Sequence, residues 1–456
     1  MALLTSSNSR SKINIIIVLF VTFIVYCIYT ISHNLPTTTV FDITNESSIT
    51  TTTKTTPTIP IKKPKSDICK TDNVGRNVDP NHTNAHIEFW RHLSEATVQV
   101  YRKRWQNFVS SVKRTHMPNG VLGRGIVLVA GNRDTFDRTL TSIKLLRNMH
   151  SCKLDIEVWH LSDEQPSENI RQELEDLGAT PRDLSDPQLV RPIIHRRNAD
   201  KQFQIKAAAV INSAFKEVLY LDSDNIPAHD PTFLFDTPEY KATGALFWPD
   251  FWKTHGENKI FDILDISCED EWEQESGQMV IDKEKSWVPL QLAWYMQKHY
   301  EIYFQFLNGD KDTFKYAWKA LDMPYHMTEA FVGMAGTMVN NRFCGHTMLQ
   351  YTPSSDEDDD KILFVHANLL KITDKKHFIH DDQPEHPWDL AKRSSMSHAN
   401  TWIKPEFYVS YQGQACMDFT HRQGEPDAIT EDFDQVLPNF QTNYFKYGGI
   451  GGETRS

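Results

Sequence analysis

Residues 217–227 read EVLYLDSDNIP: a run of strand-forming side chains ends in two aspartates one residue apart, then an asparagine, an isoleucine and a proline. In extended backbone, residues i and i+2 point the same way, so Asp222 and Asp224 aim together while Ser223 points elsewhere. Paired hard carboxylates with open positions suit Mg²⁺ or Mn²⁺, which take oxygen ligands and complete their shells with water and substrate phosphates. A cation held there could neutralise a diphosphate leaving group. The spacing by itself is common, on the order of two such pairs arising by chance in a chain this long. The preceding strand and the turn-forming Pro227 favour a metal and nucleotide site over a polar turn at a sheet edge, and both readings stand on the residues alone.

Alternating elements must position that pair. Residues 86–113 carry Trp90, Leu93, Tyr101, Trp105, Phe108 and Val112 at roughly helical spacing, which predicts one amphipathic helix opening the domain. A strand follows at 125–131 (GIVLVAG), a helix from Asp134 to His150, and a strand at 154–161 (LDIEVWHL). Next come a helix ending at Gly178, a helix over 203–215 and the strand EVLYL. This alternation predicts an α/β domain with a parallel, doubly wound sheet, whose ligands bind beyond the carboxyl ends of the strands. Gly131, Asn132 and Arg133, at the end of the first strand, should then share a crevice with Asp222 and Asp224.

The 456 residues suffice for one large domain with extensions, and the net charge of −12 argues against a nucleic-acid groove. The run Asp356–Asp360 (DEDDD) lacks the glycine and terminal glutamate of a calcium loop and reads as a solvated loop. At the amino end, Ile13–Ile31 is apolar on every side and close to the roughly twenty residues a helix needs to cross a bilayer. No small-residue cleavage site follows it, and Arg10 and Lys12 precede it. The expectation is an uncleaved signal anchor with residues 1–12 cytoplasmic and everything after Ile31 lumenal, its short span favouring thin early secretory membranes. Residues 32–84, rich in Thr, Ser and Pro, read as a disordered stem, with sequons at Asn45 and Asn81 and the lumenal domain over 85–456. Cys27 lies in the span; the five lumenal cysteines allow up to two disulfides with one thiol left over.

The stretch from Phe203 to Trp252, together with ESGQMVIDK (275–283), NGDKDTF (308–314) and FVHANLLK (364–371), resembles the fungal Golgi α-mannosyltransferases that include α-1,2 and α-1,3 enzymes. The DSDNIP and ESGQ forms look closer to the α-1,2 branch. The resemblance implies a GT-A fold of the nucleotide-diphospho-sugar transferase kind, Mn²⁺ (or Mg²⁺) as cofactor, and a retaining transfer of mannose from GDP-mannose. The acceptor would be mannan or an N-glycan, at the Golgi membrane, with assembly beside other mannosyltransferases allowed. A UDP-sugar-dependent transferase and a non-catalytic glycan-binding Golgi subunit are the competing readings.

The resemblance also implies roles. Asp222, Asp224 and His366 would hold the metal, Asp222 lying also near the donor ribose; a histidine after an apolar run is otherwise structural. Lys371 would meet the departing diphosphate. Lys206 would bridge donor phosphates or sugar, or else is a solvated helix lysine. Glu275 and Gln278 are the candidates for the sugar face opposite the leaving group, with Glu275 expected to contact the donor mannose and the diphosphate to act as base. Asp310 and Asp312 would orient sugar hydroxyls as bidentate acceptors, or cap the helix that follows. Trp248 and Asp250 would serve the donor site, with Asn132 and Arg133. Residues 377–389 (HFIHDDQPEHPWD) read as a lumenal loop near the acceptor, and YFKYGGIGGETRS at the end as a flexible tail.

Overall fold

Each apolar run between 124 and 221 is flanked by residues that start or stop helices, and the chain folds accordingly. The computed structural model describes residues 82–118, 120–193, 203–353, 361–368, 387–394, 403–409, 415–421 and 428–449, all within one compact unit. Two helices lead in, α1 (Asn84–His92) and α2 (Glu95–Val112). The single helix expected over 86–113 is broken after His92, because Ser94 accepts the Thr97 backbone N–H and caps a new start. There follow β1 (Arg124–Val129), α3 (Arg133–Lys144, prolonged by a π turn to Met149), β2 (Asp155–His160), α4 (Glu168–Asp176), β3 (Ala179–Asp183), α5 (Ile205–Asn212) and β4 (Glu217–Leu221). Strand β3 has no apolar run to announce it. It is an edge strand that buries one residue of ATPRD fully, Ala179.

Next come β5 (Asn225–Pro227), β6 (Ala245–Lys253), β7 (Trp272–Asp282), α6 (Trp287–Lys298), α7 (Lys311–Ala320) and β8 (His326–Met327). The main sheet runs β3-β2-β1-β4-β7-β6-β8. It is α/β as expected, but only partly parallel: β3, β2, β1 and β4 run parallel, as does the short β8 against β6, whereas β7 runs antiparallel to β4 and β6 to β7. The fully parallel sheet is therefore corrected to a mixed one. Alternation sets its two faces. Val127, Val218 and Tyr220 pack with α2, α5, α6 and α7, whereas Ile126, Leu128, Leu219 and Leu221 pack with α3 on the other side.

A second, antiparallel sheet comprises β9 (Gly333–Val339), β10 (Arg342–Tyr351), β11 (Ile362–His366), β12 (Leu390–Arg393), β13 (Ile403–Val409), β14 (Ala415–His421) and β15 (Ile429–Asp432). Strand β11 also pairs with β5, in the register His366↔Asn225. The chain beyond 376, in which the sequence shows no motif, thus contributes strands β12–β15. The expected flexible tail is corrected at its start: the helix Phe440–Lys446 is docked, with Tyr444 buried and its ring 5.2 Å from that of Trp388.

Cys344 and Cys416 form a disulfide, Cys268 is also disulfide-bonded, and Cys152 is a buried free thiol. Among the described residues no helix is long and apolar enough to cross a membrane. The segments Ile13–Ile31 and 32–81, the acidic run Asp356–Asp360, Lys371 and most of 377–389 lie outside them.

Candidate active site

Strands β1 and β4 are parallel neighbours with Leu128 opposite Leu221, so their carboxyl ends lie side by side. Chain leaving β4 delivers Asp222 and Asp224. Strand β7 passes the same end in the opposite direction, with Leu221 opposite Gln278, and carries Ser276 and Glu275 just beyond it. The Asp222 backbone N–H donates to the Gly277 carbonyl at 2.8 Å, fixing this crossing. Strand β11, paired to β5, brings in His366, and the Ala367 N–H donates to the Asp224 carbonyl at 3.0 Å.

One ligand atom from each of Asp222, Asp224 and His366 lies within 4.8 Å of the others. Nε2 of His366 is 3.3 Å from Asp224 Oδ1 and 4.0 Å from Asp222 Oδ2. Donors opposed across an octahedral cation with bonds of about 2.1 Å stand about 4 Å apart, so the cluster is close to the size such an ion requires. Two carboxylates and an imidazole are the donor types a divalent metal takes, and the residues present fit one. On its far side, Nδ1 of His366 is 3.3 Å from Glu275 Oε1. Burial opposes protonation of His366, but Glu275 and Asp222 outweigh it and raise its pKa. Burial likewise works against ionisation of Asp222, yet Lys206, His366 and the Tyr220 hydroxyl hold its pKa below the ordinary value.

Lys206, expected on a helix, is not solvated. It is buried on α5, and its Nζ donates to Asp222 Oδ2 at 3.1 Å, Ser276 Oγ at 3.0 Å and the Ser276 carbonyl at 3.1 Å, with Asp310 Oδ2 at 3.5 Å. Desolvation disfavours its charge, but Asp222, Asp310 and Glu275 more than offset this and raise its pKa, so it stays an ammonium. The Tyr220 hydroxyl donates to Asp222 Oδ1 at 2.7 Å. Asp310 sits at the N-cap position of α7 without a side-chain cap bond; its carboxylate turns to Lys206 and stays partly exposed.

The remaining expected residues divide. Glu275 is buried and both its oxygens are engaged: Oε1 accepts the Gly277 N–H at 2.7 Å, and Oε2 accepts from Gln278 Nε2 at 2.7 Å. Gln278 is fully buried, its Oε1 accepting from Asn225 Nδ2, so its placement on the donor face is corrected: it braces Glu275. Trp248 is corrected as well. It is fully buried, donates Nε1–H to the Tyr351 carbonyl at 2.8 Å and packs edge-on to Phe364, leaving no face for a sugar. Asp312 is fully buried; it accepts the Gln274 N–H at 2.8 Å and pairs with Lys311 at 2.6 Å rather than opening to the crevice. Lys311 also meets Asp250 at 3.1 Å and Glu273 at 2.5 Å. Burial pushes Asp250 up to about 6 in spite of that ammonium. Asn132 does stand at the end of β1, but its side chain accepts the Thr135 N–H at 2.9 Å and caps α3. Arg133 is largely exposed, 3.8 Å from Asp137.

The residue missed from sequence is Arg138. One turn beyond Arg133 on α3, it is mostly buried, with Nη2 2.5 Å from Asp134 Oδ2 and Nη1 3.5 Å from Asp224 Oδ2. The Asp134/Arg138 spacing signals a helical ion pair and nothing more.

The family described as "Mannosyltransferase putative" matches residues 123–273 and 269–352, half of the chain. Among curated proteins, the chain is 28% identical over 358 residues to "Alpha-1,2-mannosyltransferase MNN21" of Candida albicans, covering 62% of this chain and 54% of that protein. It is 26% identical over 309 residues to "Alpha-1,2-mannosyltransferase MNN2" of Saccharomyces cerevisiae, covering 57% and 50%. The chain thus spans about half the length of the curated relatives it matches. Among solved structures, the mannosyltransferase Ktr4p from S. cerevisiae aligns at 9% identity and a TM-score of 0.28, over 52% of this chain and 82% of that one. The galactosyltransferase LgtC, with donor and acceptor sugar analogues, aligns at 16% and 0.30, over 43% and 70%. On the strength of the match across residues 123–352, the chain belongs to this mannosyltransferase family.

Proposed function

We propose that the chain is a metal-dependent, retaining α-mannosyltransferase of GT-A architecture. It would move mannose from GDP-mannose onto mannose residues of N-glycan or mannan chains and form an α-1,2 bond. The observation that carries this reading is the meeting of Asp222, Asp224 and His366 at the carboxyl end of β4, with the Lys206 ammonium beside Asp222. The names of the relatives support the sugar and the linkage. An uncleaved anchor at Ile13–Ile31 in the Golgi membrane, with the catalytic domain lumenal, completes the proposal; the Cys344–Cys416 disulfide is in keeping with an oxidising lumen.

Asp222, Asp224 and His366 would hold Mn²⁺ or Mg²⁺, which when bound supplies positive charge to a diphosphate. The chain's own residues do the rest. Lys206 adds a buried, permanent positive charge at the same place, worth more there than in water because water is excluded. Asp310, partly exposed beside Lys206, is the carboxylate placed to accept hydrogen bonds from sugar hydroxyls. Both Glu275 oxygens are taken by the N–H donors of Gly277 and Gln278 and one lies 3.3 Å from His366 Nδ1, so in this reading Glu275 steadies the imidazole rather than attacking the sugar. Retention then proceeds on one face: the bond from the anomeric carbon to phosphate breaks, the acceptor oxygen bonds to that carbon, and its proton passes to the departing phosphate.

The test is incubation of the protein with GDP-mannose, Mn²⁺ and short α-mannosides, with the new linkage read by NMR. An α-1,2 product is expected. Cleavage of UDP-sugars with none of GDP-mannose would overturn the donor assignment, and undiminished transfer by Asp224→Ala would overturn the catalytic reading in favour of a glycan-binding subunit.

A further inference from the structure

Two groups of opposite character to the Asp224 carboxylate face its two oxygens. Oδ1 faces His366 Nε2 at 3.3 Å, and Oδ2 faces Arg138 Nη1 at 3.5 Å. Arg138 reaches it from α3, with only 11% of its side chain exposed, while Nη2 is held by Asp134. A guanidinium keeps its charge at any working pH. A divalent cation on Asp224 would therefore sit beside a second, fixed positive charge in a site largely shut off from water, where like charges repel strongly. An anion that reached both would reverse the sign of that interaction. A nucleoside diphosphate suits the role, since phosphate oxygens accept the forked N–H groups of arginine and bind divalent cations.

We propose that Arg138 makes metal binding conditional on the diphosphate: it weakens binding of the cation alone and is satisfied by phosphate oxygens when both ligands are present. The two ligands thus bind with positive coupling, and by linkage each raises the affinity of the other by the same factor. This inference rests on the metal site proposed above and adds a function to a residue outside its ligands. Arg138 contacts substrate in this reading, and Asp134 positions it.

The experiment uses the full-length protein in detergent. Mn²⁺ binding is titrated by electron paramagnetic resonance with and without GDP, for the parent, Arg138→Gln and Arg138→Lys. In the parent, GDP is expected to tighten Mn²⁺ binding by about tenfold or more. Arg138→Gln should bind Mn²⁺ alone about fivefold more tightly and lose most of the enhancement by GDP, whereas Arg138→Lys, which keeps the charge, retains part of it. If Arg138→Gln instead binds Mn²⁺ alone more weakly, with the GDP enhancement intact, Arg138 only props Asp224 and the proposal fails. If the parent binds no Mn²⁺ under either condition, the metal site itself is wrong. Asp224→Asn, expected to abolish binding with and without GDP, ties the signal to this site.

Discussion

Nδ1 of His366 lies 3.3 Å from Oε1 of Glu275, so the imidazole that turns Nε2 toward Asp224 has a carboxylate close behind it. When a metal-bound imidazole donates its other N–H to such a carboxylate, the ring is oriented and made a better ligand, and losing the carboxylate costs about 10- to 100-fold in metal affinity. Glu275→Gln keeps the shape and removes the charge. It is expected to weaken Mn²⁺ binding by at least about tenfold, measured by isothermal titration calorimetry. Unchanged affinity would mean that Glu275 does not orient the histidine.

Gly277 is the reason the two side chains can approach. A Cβ at this position would lie 2.3 Å from His366 Cε1 and 2.5 Å from Nδ1. Gly277→Ala must push the ring aside. Overpacking of this kind costs about 1–3 kcal/mol of stability, and a displacement on the order of 1 Å in a catalytic site costs about 100-fold in rate. Transfer assays beside thermal melts check both; a variant with parental activity would show that the ring has room to spare.

Lys311 neutralises Asp250, Glu273 and Asp312, all of them buried. Lys311→Met leaves three carboxylates with Lys315, 3.8 Å from Asp312, as the remaining cation among the contacts described. Breaking a buried ion pair from one side costs about 3–5 kcal/mol. Urea unfolding is expected to show a fall in unfolding free energy of that size, and a loss below about 1 kcal/mol would show that water reaches the cluster.

Lys283 is buried at the end of β7 and donates to the Ser213 carbonyl at 2.6 Å. Burial lowers its pKa to about 7 from the ordinary 10.5. Between those values the unfolded chain binds more protons than the folded one, so this group adds stability as pH rises and withdraws it as pH falls toward 7. Lys283→Met lacks the titration. Relative to the parent, the variant is expected to lose ground from pH 7 to pH 10, on the order of 1 kcal/mol per pH unit. Parallel stability curves for the two proteins would refute the assignment.

The strands β1, β2 and β4 were legible because each is a short, mostly apolar run that must be buried on both faces, and their helices because of periodicity and stop signals such as Gly178. Strand β3 was not, since an edge strand needs no apolar run. The break between α1 and α2 was written in Ser94, a cap that helical periodicity on either side concealed. Within the site, β4 and the acidic pair at its end could be read directly, although Asp222 and Asp224 converge across a turn, in which the Asn225 N–H donates to the Asp222 carbonyl at 3.0 Å, and not in extended backbone; Glu275 and His366 were legible through the family resemblance. Arg138 could not, because its partner Asp224 is 86 positions away. Trp248 and Gln278 misled because the sequence shows their chemistry but not which side of a strand turns inward.

Residue types and local periods were fixed by the chain itself: which carboxylates, imidazoles and cations exist, which stretches extend or coil, and that an acidic pair ends a buried strand. Only the tertiary structure decided which of them meet. The pairing of β7 against β4 set Glu275 beyond the carboxyl end, the pairing of β11 with β5 carried His366 to Asp224, and the packing of α3 and α5 pressed Arg138 and Lys206 against acids. Those contacts join residues from 16 to more than a hundred positions apart. Their formation depends on burying the faces of whole elements, a property no local window of sequence contains.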